Sequence, residues 1–236
     1  TRATAAQAAM LQSLNVECTL VQTPSGLINQ IRTPSGKPPL LLVHGWGGAL
    51  GFWRNNIAGL AENYTVYAID GLGWGLSSRP TFEGTGDEAV TFWVQAIEEW
   101  VEAVGLQAFT LVGHSLGGYI CGRYALAHPE RVTRLVLAAA AGIVEDNRKE
   151  HPMLQAIAKV EKSMGSSLPL SVLRRCDAIG AGPWLLRRLY GEAVTPEEIE
   201  YILACAALPQ SGEVATLGLN EHTAPLWGDL GKLEMP

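Results

Sequence analysis

Gly113-His114-Ser115-Leu116-Gly117-Gly118 sets a serine among glycines between an apolar run, Ala108 to Val112, and a helix-forming run that opens near Leu116. A G-x-S-x-G in that context reads as a nucleophile elbow. The chain must turn sharply while the serine holds a strained backbone, so its neighbours cannot carry bulky side chains. Such a turn lifts the Ser115 hydroxyl off the sheet's C-terminal edge, ready to attack a carbonyl. The helix beneath it offers N–H groups and a partial positive charge to an oxyanion. A second loop agrees: Leu40 to Val43 runs into His44-Gly45-Trp46-Gly47-Gly48, where a glycine-rich backbone can approach a substrate closely. The Trp46 and Leu116 N–H groups are the expected oxyanion donors, and losing one such donor typically costs ~10²–10³ in rate. His44, Gly45 and His114 are expected to support these loops rather than react.

A third loop, Asp70-Gly71-Leu72-Gly73-Trp74-Gly75-Leu76-Ser77-Ser78, fails as a dinucleotide fingerprint. Position 76 is leucine instead of glycine, and Pro80 interrupts any immediate helix. Ser35-Gly36-Lys37 fails as a phosphate loop because proline follows and no helix does. Asp70 is expected to tie down its own loop by accepting backbone N–H bonds. No cofactor and no metal site is implied.

The elements that must position these loops alternate. Strands are expected at 16–22, 27–32, 40–43, 65–69, 108–112 and 134–138. Helices are expected over Phe52 to Ala61, from an Asp87 N-cap to about Val104, and over Leu116 to Ala127. In the second of these, Trp93, Ile97, Trp100, Val101 and Val104 share one face. Apolar strands between helices mean a mostly parallel sheet covered on both sides, that is, an α/β fold. From Glu145 to Leu230 only helix-like stretches occur: about Met153 to Lys162, Trp184 to Tyr190 and Pro196 to Ala207. The expected organisation is a core over 1–142, a helical cap over 143–232, and the start of a further core strand at 233–236. Thr1 to Ala9 reads as a frayed end.

All three loops fall at C-terminal strand ends, where open α/β sheets bind ligands. With its elbow and glycine-rich loop, the chain resembles the α/β-hydrolase superfamily over about Pro39 to Ala138. More narrowly, it resembles the branch of lysophospholipase/N-acyl phospholipase B enzymes and the lipid-droplet lipase co-activator. That match extends through Gly182-Pro183-Trp184, Glu200-Tyr201-Ile202 with Cys205, and Ser211-Gly212-Glu213. The resemblance implies hydrolysis of acyl lipid esters or amides, or acyl transfer between lipids. Co-activator proteins carry asparagine at the nucleophile position, so Ser115 favours an enzyme over a non-catalytic lipid-associated regulator.

A serine hydroxyl needs a base, and the base an orienting acid, which in this fold follow in the order acid, then histidine. After Ser115 the histidines are His128, His151 and His222. His128 ends the helix behind the elbow and His151 heads a cap helix; His222 is the least implausible base of the three, although no strand precedes it to deliver it to Ser115. Glu145 or Asp146 would be surrogate acids only, and the H-x-x-x-x-D acyltransferase pattern is absent because Thr133 stands five residues after His128. The resemblance implies eight strands where six are found. A sheet stopping at the sixth would expose an unpaired edge. The expectation is therefore a C-terminally truncated hydrolase whose acid and base lie beyond Pro236.

Composition narrows the rest. The 236 residues are 47% hydrophobic and 17% charged with a formal net charge of −6, which excludes a disordered chain and a basic nucleic-acid-binding face. The longest apolar run, Leu135 to Val144, is far short of the ~18 residues of a membrane span. No secretory signal is visible, and Cys18, Cys121, Cys176 and Cys205 form neither a C-x-x-C pair nor a disulfide framework. The expected setting is intracellular, cytoplasmic or peripheral to a membrane or lipid droplet, with organelle targeting left open. The expected partner is a small acyl ester or lipid.

Overall fold

A computed structural model describes residues 1–82, 84, 86–143, 159–161, 163, 167–217 and 226–233. Six strands form one sheet: β1 (Glu17–Thr23), β2 (Gly26–Arg32), β3 (Pro39–Val43), β4 (Thr65–Ile69), β5 (Phe109–His114) and β6 (Val132–Ala138), in the order β1-β2-β4-β3-β5-β6. β1 pairs antiparallel with β2, and β2 antiparallel with β4; β4, β3, β5 and β6 run parallel. The sequence expectation of a mostly parallel α/β sheet holds, with β5 and β6 each longer than the apolar runs suggested.

The alternation of β3 divides the core. Leu41 and Val43 face one side with Tyr67, Ile69, Phe109 and Leu111. There they meet α3 (Gly86–Val104) and α4 (Leu116–Ala127) through Trp93, Trp100, Tyr119 and Tyr124. Leu40 and Leu42 face the other side with Ile31, Val66 and Ala68. The α3 stripe forms as its spacing predicts, although the helix already begins at Gly86 and places Asp87 in its first turn. Trp93 and Trp100, buried in that stripe, satisfy their indole N–H groups on the Leu72 carbonyl and on Gln30. The continuous apolar character of β3, β4 and β5 follows, because both of their faces are covered, whereas β1 and β6 leave residues exposed.

The second face corrects one expectation. Residues Arg2–Leu11 are not frayed but form α1, which buries Ala3, Ala6, Met10 and Leu11 beside Leu50, Ile57 of α2 (Arg54–Leu60) and Tyr201. Five alanines, only two of them buried, give this helix little apolar contrast, so its buried side is invisible to pattern reading. The expected helix at 52–61 is also divided: Leu50–Trp53 is a 3₁₀ turn, and α2 begins only at Arg54.

Beyond the sheet lie α5 (Leu168–Ala178), α6 (Gly182–Tyr190), α7 (Pro196–Ala206), α8 (Gly212–Leu217) and α9 (Trp227–Leu230). Thr195 and Glu198 form a reciprocal capping box at the start of α7. Leu173, Leu186, Ile199, Leu203 and Ala206 make a small core of their own. No described helix is long and apolar enough to cross a membrane. Most of the expected helix from Met153 to Lys162 lies outside the described residues, with 159–161 helical; Glu145, Asp146, His151 and His222 lie outside them, as does the strand start expected at 233–236 except for Leu233, which is not in a strand.

Candidate active site

Ser115 sits between β5 and α4 with φ 53° and ψ −119°, a left-handed backbone that an L-residue rarely adopts. Surrounding bonds hold it there. Its N–H donates to the Ala138 carbonyl at the end of β6 (3.0 Å), and its carbonyl accepts from Ala141 (3.0 Å) and Tyr119 (3.2 Å). The strain is thus fixed by β6 on one side and by the first turn of α4 on the other. Among the described residues the hydroxyl has no hydrogen-bond partner.

The loop after β3 presses directly on this turn. A Cβ at Gly117 would lie 2.3 Å from the His44 carbonyl oxygen, and one at Gly45 would lie 3.0 Å from the Ser115 Cβ. A side chain at Gly117 would need the backbone to move, and one at Gly45 would press on the neighbouring His114 and Ser115. The two loops therefore share one contact surface, with the Trp46 and Leu116 N–H groups lacking acceptors among the described residues. The Trp46 side chain points elsewhere. Its indole N–H donates to Thr216 of α8 (3.1 Å), and its ring meets Trp74 edge-on at 6.2 Å.

His44 and Asp70 are buried behind the loops. The His44 Nε2 accepts from the Gly71 N–H (3.2 Å), while Nδ1 lies 2.7 Å from the Gly45 carbonyl, so the ring spans two loops as a neutral imidazole. Burial drives its pKa below the ordinary histidine value. Asp70 is fully buried. Its Oδ1 accepts from the Leu50 N–H (2.6 Å), and its Oδ2 accepts from the Leu76 N–H and the Asn29 side-chain amide (both 2.7 Å). Burial raises this carboxyl's pKa, opposed by the field of His44 and by these donors. Neither group is free to exchange protons with Ser115. His114 is exposed, beside the serine in sequence. His128 lies at the opposite end of α4, beyond its last residue Ala127, stacked near Tyr124 and Glu98.

Two cavities flank the loops. One, of about 40 Å³, is apolar and walled by His44, Gly45, Trp74, Trp93, Leu116 and Ile120. The other, of about 20 Å³, is polar and collects Gly47, Gly73, Arg79, Arg174, Ser211 and Glu213. Here lie the contacts that sequence reasoning missed. Arg79 donates to the carbonyls of Gly73, Gly75 and Pro209. Gly212 donates to Gly73, and the Ser211 hydroxyl to Pro80. Arg174 pairs with buried Glu213. Ser211-Gly212-Glu213 was visible as a motif, but nothing in the sequence marked Arg79 as its counterpart.

Known proteins place this geometry. The profile of the alpha/beta hydrolase fold family matches residues 38–165. Human 1-acylglycerol-3-phosphate O-acyltransferase ABHD5 is 36% identical over 214 residues, covering 84% of this chain and 61% of that protein. Mouse (Lyso)-N-acylphosphatidylethanolamine lipase is 35% identical over 202 residues, covering 78% and 57%. The chain thus spans about three-fifths of the length of these curated relatives. Among solved structures, a bacterial membrane phospholipase A superposes with TM-score 0.72 at 22% identity, covering 99% of this chain and 72% of that one. The Bacillus subtilis carboxylesterase CesB gives TM-score 0.68 at 23% identity, covering 90% and 69%. At such identities the structural likeness is one of fold. The strained serine turn, the parallel sheet beneath it and the matched profile lead to one statement: the chain belongs to the α/β-hydrolase fold family.

Proposed function

We propose that this protein is a serine hydrolase of acyl lipid esters, with Ser115 as nucleophile. The observation that carries the reading is the left-handed backbone of Ser115, held between β5 and α4 by bonds from Ala138, Ala141 and Tyr119. Strain of this kind persists where a side chain must be presented, and here it presents an unpartnered hydroxyl at a helix N-terminus. The Ser115 Oγ attacks the ester carbonyl carbon as its proton passes to a base. The Trp46 and Leu116 N–H groups receive the oxyanion, and collapse of the tetrahedral species expels the alcohol to leave an acyl-serine. Water then releases the acid; a second lipid hydroxyl in place of water makes the same site an acyltransferase. The lipase and acyltransferase names of the relatives support this pairing of outcomes.

His44 and Asp70 serve as positioning residues, with Gly45 and His114 shaping the loop contact. No partner for the Ser115 hydroxyl stands among the described residues, so the base and its orienting acid are assigned to none of them; the curated relatives are longer than the stretch they share with this chain. The division into a core to residue 142 and a cap over 143–232, the latter shaping an acyl site, belongs to the same reading. So does work at a lipid surface.

A fluorophosphonate probe tests the assignment. Covalent labelling of the full-length protein that disappears in Ser115→Ala is expected. Absence of labelling, or labelling that survives the substitution, overturns the enzymatic reading and leaves a non-catalytic lipid-associated regulator.

A further inference from the structure

The α6 helix and the turn before it hold an unusual concentration of exposed apolar side chains. Ile179 is 81% exposed, Trp184 68%, Leu189 65% and Tyr190 61%. The helix spends only Gly182 and Leu186, with part of Leu185, on the small core against Leu173, Ile199 and Leu203. Exposed apolar groups gathered this way mark an interaction surface.

Charge defines the partner. Helices α5 and α6 carry Arg174, Arg175, Arg187 and Arg188 against one acid, Asp177, in a chain whose net charge is −6. Arg174 is engaged with Glu213, but Arg175, Arg187 and Arg188 are exposed and form no ion pair among the described residues. Of the acids on α5 and α7, Asp177 and Glu200 are held by Arg2 and Glu198 by Arg54, which leaves Glu197 alone without an ion pair among the described residues, against three such arginines. The patch is therefore basic as well as apolar. Tyr190 also borders an open groove of about 280 Å³ with Phe52, Val194 and Ile202, wide enough for hydrocarbon.

We propose that this face docks the protein on an anionic lipid bilayer, an inference that rests on the reading of the chain as an acyl-lipid hydrolase. Tryptophan and tyrosine sit at the boundary of a bilayer with one edge wet and the body of the ring buried. Arginine lays its stem along the apolar layer and keeps its guanidinium among the phosphates. Ile179 and Leu189 supply insertion, while Arg175, Arg187 and Arg188 supply attraction to negative headgroups.

Co-sedimentation with phosphatidylcholine vesicles, with and without phosphatidylserine, tests this on the full-length protein. Binding should require phosphatidylserine and weaken with salt. The double variant Arg187→Glu/Arg188→Glu should bind about 30-fold more weakly or worse, from the usual worth of two basic side chains at an anionic surface. Trp184→Ser/Leu189→Ser should lose binding at any charge density. Should charge reversal unfold the chain, Arg187→Gln/Arg188→Gln reads the same term, and circular dichroism separates the two cases. Vesicle binding that is absent in the wild type, or unchanged in both double variants, overturns the proposal. So does a dimer in solution that Trp184→Ser dissolves, since the face would then pair two copies. Fluorophosphonate labelling of the same samples keeps the two readings apart: labelled protein that ignores vesicles sinks only the docking face, and unlabelled protein that binds them sinks only the catalytic reading.

Discussion

The loops around Ser115 and the helices α5 to α8 both bury charge, and they neutralise it by different means. Behind the serine, the Asp70 carboxylate is met by two backbone N–H groups and one amide, and His44 by backbone on both nitrogens. Among the helices, Glu213 is met by the Arg174 guanidinium, and Arg79 reaches across to the carbonyls of Gly73, Gly75 and Pro209. Backbone donors are fixed by the fold of the loops that carry them and lose little side-chain freedom when they bind. Guanidiniums must give up rotamers, and they can let go again. The contrast teaches that the serine loops are built to keep one geometry, whereas the helices above them are fastened by contacts that can be remade.

The largest expected effect breaks the first region. Asp70→Ala strands the Leu50 and Leu76 N–H groups and the Asn29 amide in the core, at a cost of about 5 kcal/mol in urea unfolding. Glu213→Ala strips Arg174 of its counter-charge, and about 3 kcal/mol is expected because Arg174 keeps partial access to water. A Glu213→Ala loss equal to that of Asp70→Ala would erase the distinction between the regions. The His44 effect is smaller and visible only in acid. The buried imidazole resists protonation, whereas the unfolded chain takes up a proton as the pH falls through about 6.5, so stability should decline below that value. Asp70, with its raised pKa, acts in the opposite sense, so the imidazole is isolated by comparison with His44→Gln. That variant keeps an acceptor for Gly71 and should flatten the slope; an unchanged slope would place the dependence elsewhere. The smallest effect belongs to the surface pairing of Arg2 with Asp177 and Glu200. Arg2 is 44% exposed, and Arg2→Ala should cost under about 1 kcal/mol in the same unfolding assay.

How much of this was legible in the sequence follows from the same physics. The serine turn could be read because Gly45 and Gly117 are demanded by contacts within a few ångströms, and short-range demands leave fixed spacings. Helix α3 could be read because large apolar residues recur on one side. Helix α1 could not, since alanines and the buried Gln7 mark no face, and their partners lie in β2 and α7. The pairing of Arg79 with Pro209 joins residues far apart in the chain, and neither type announces it. The Trp46 ring, set against Thr216 and Trp74, was equally hidden, because no short-range spacing ties it to either.

Asn29 donates to Gln7 of α1 at 2.9 Å and to Asp70 at 2.7 Å, and Asp70 in turn fixes the Leu50 N–H at the end of the loop beside Ser115. Three side chains thus carry the placement of that loop back to the second turn of the first helix. Gln7→Ala would slacken that loop from a position far from the serine in the chain. Hydrogen exchange at the Leu50 amide is the place where such a distant loosening would first be seen.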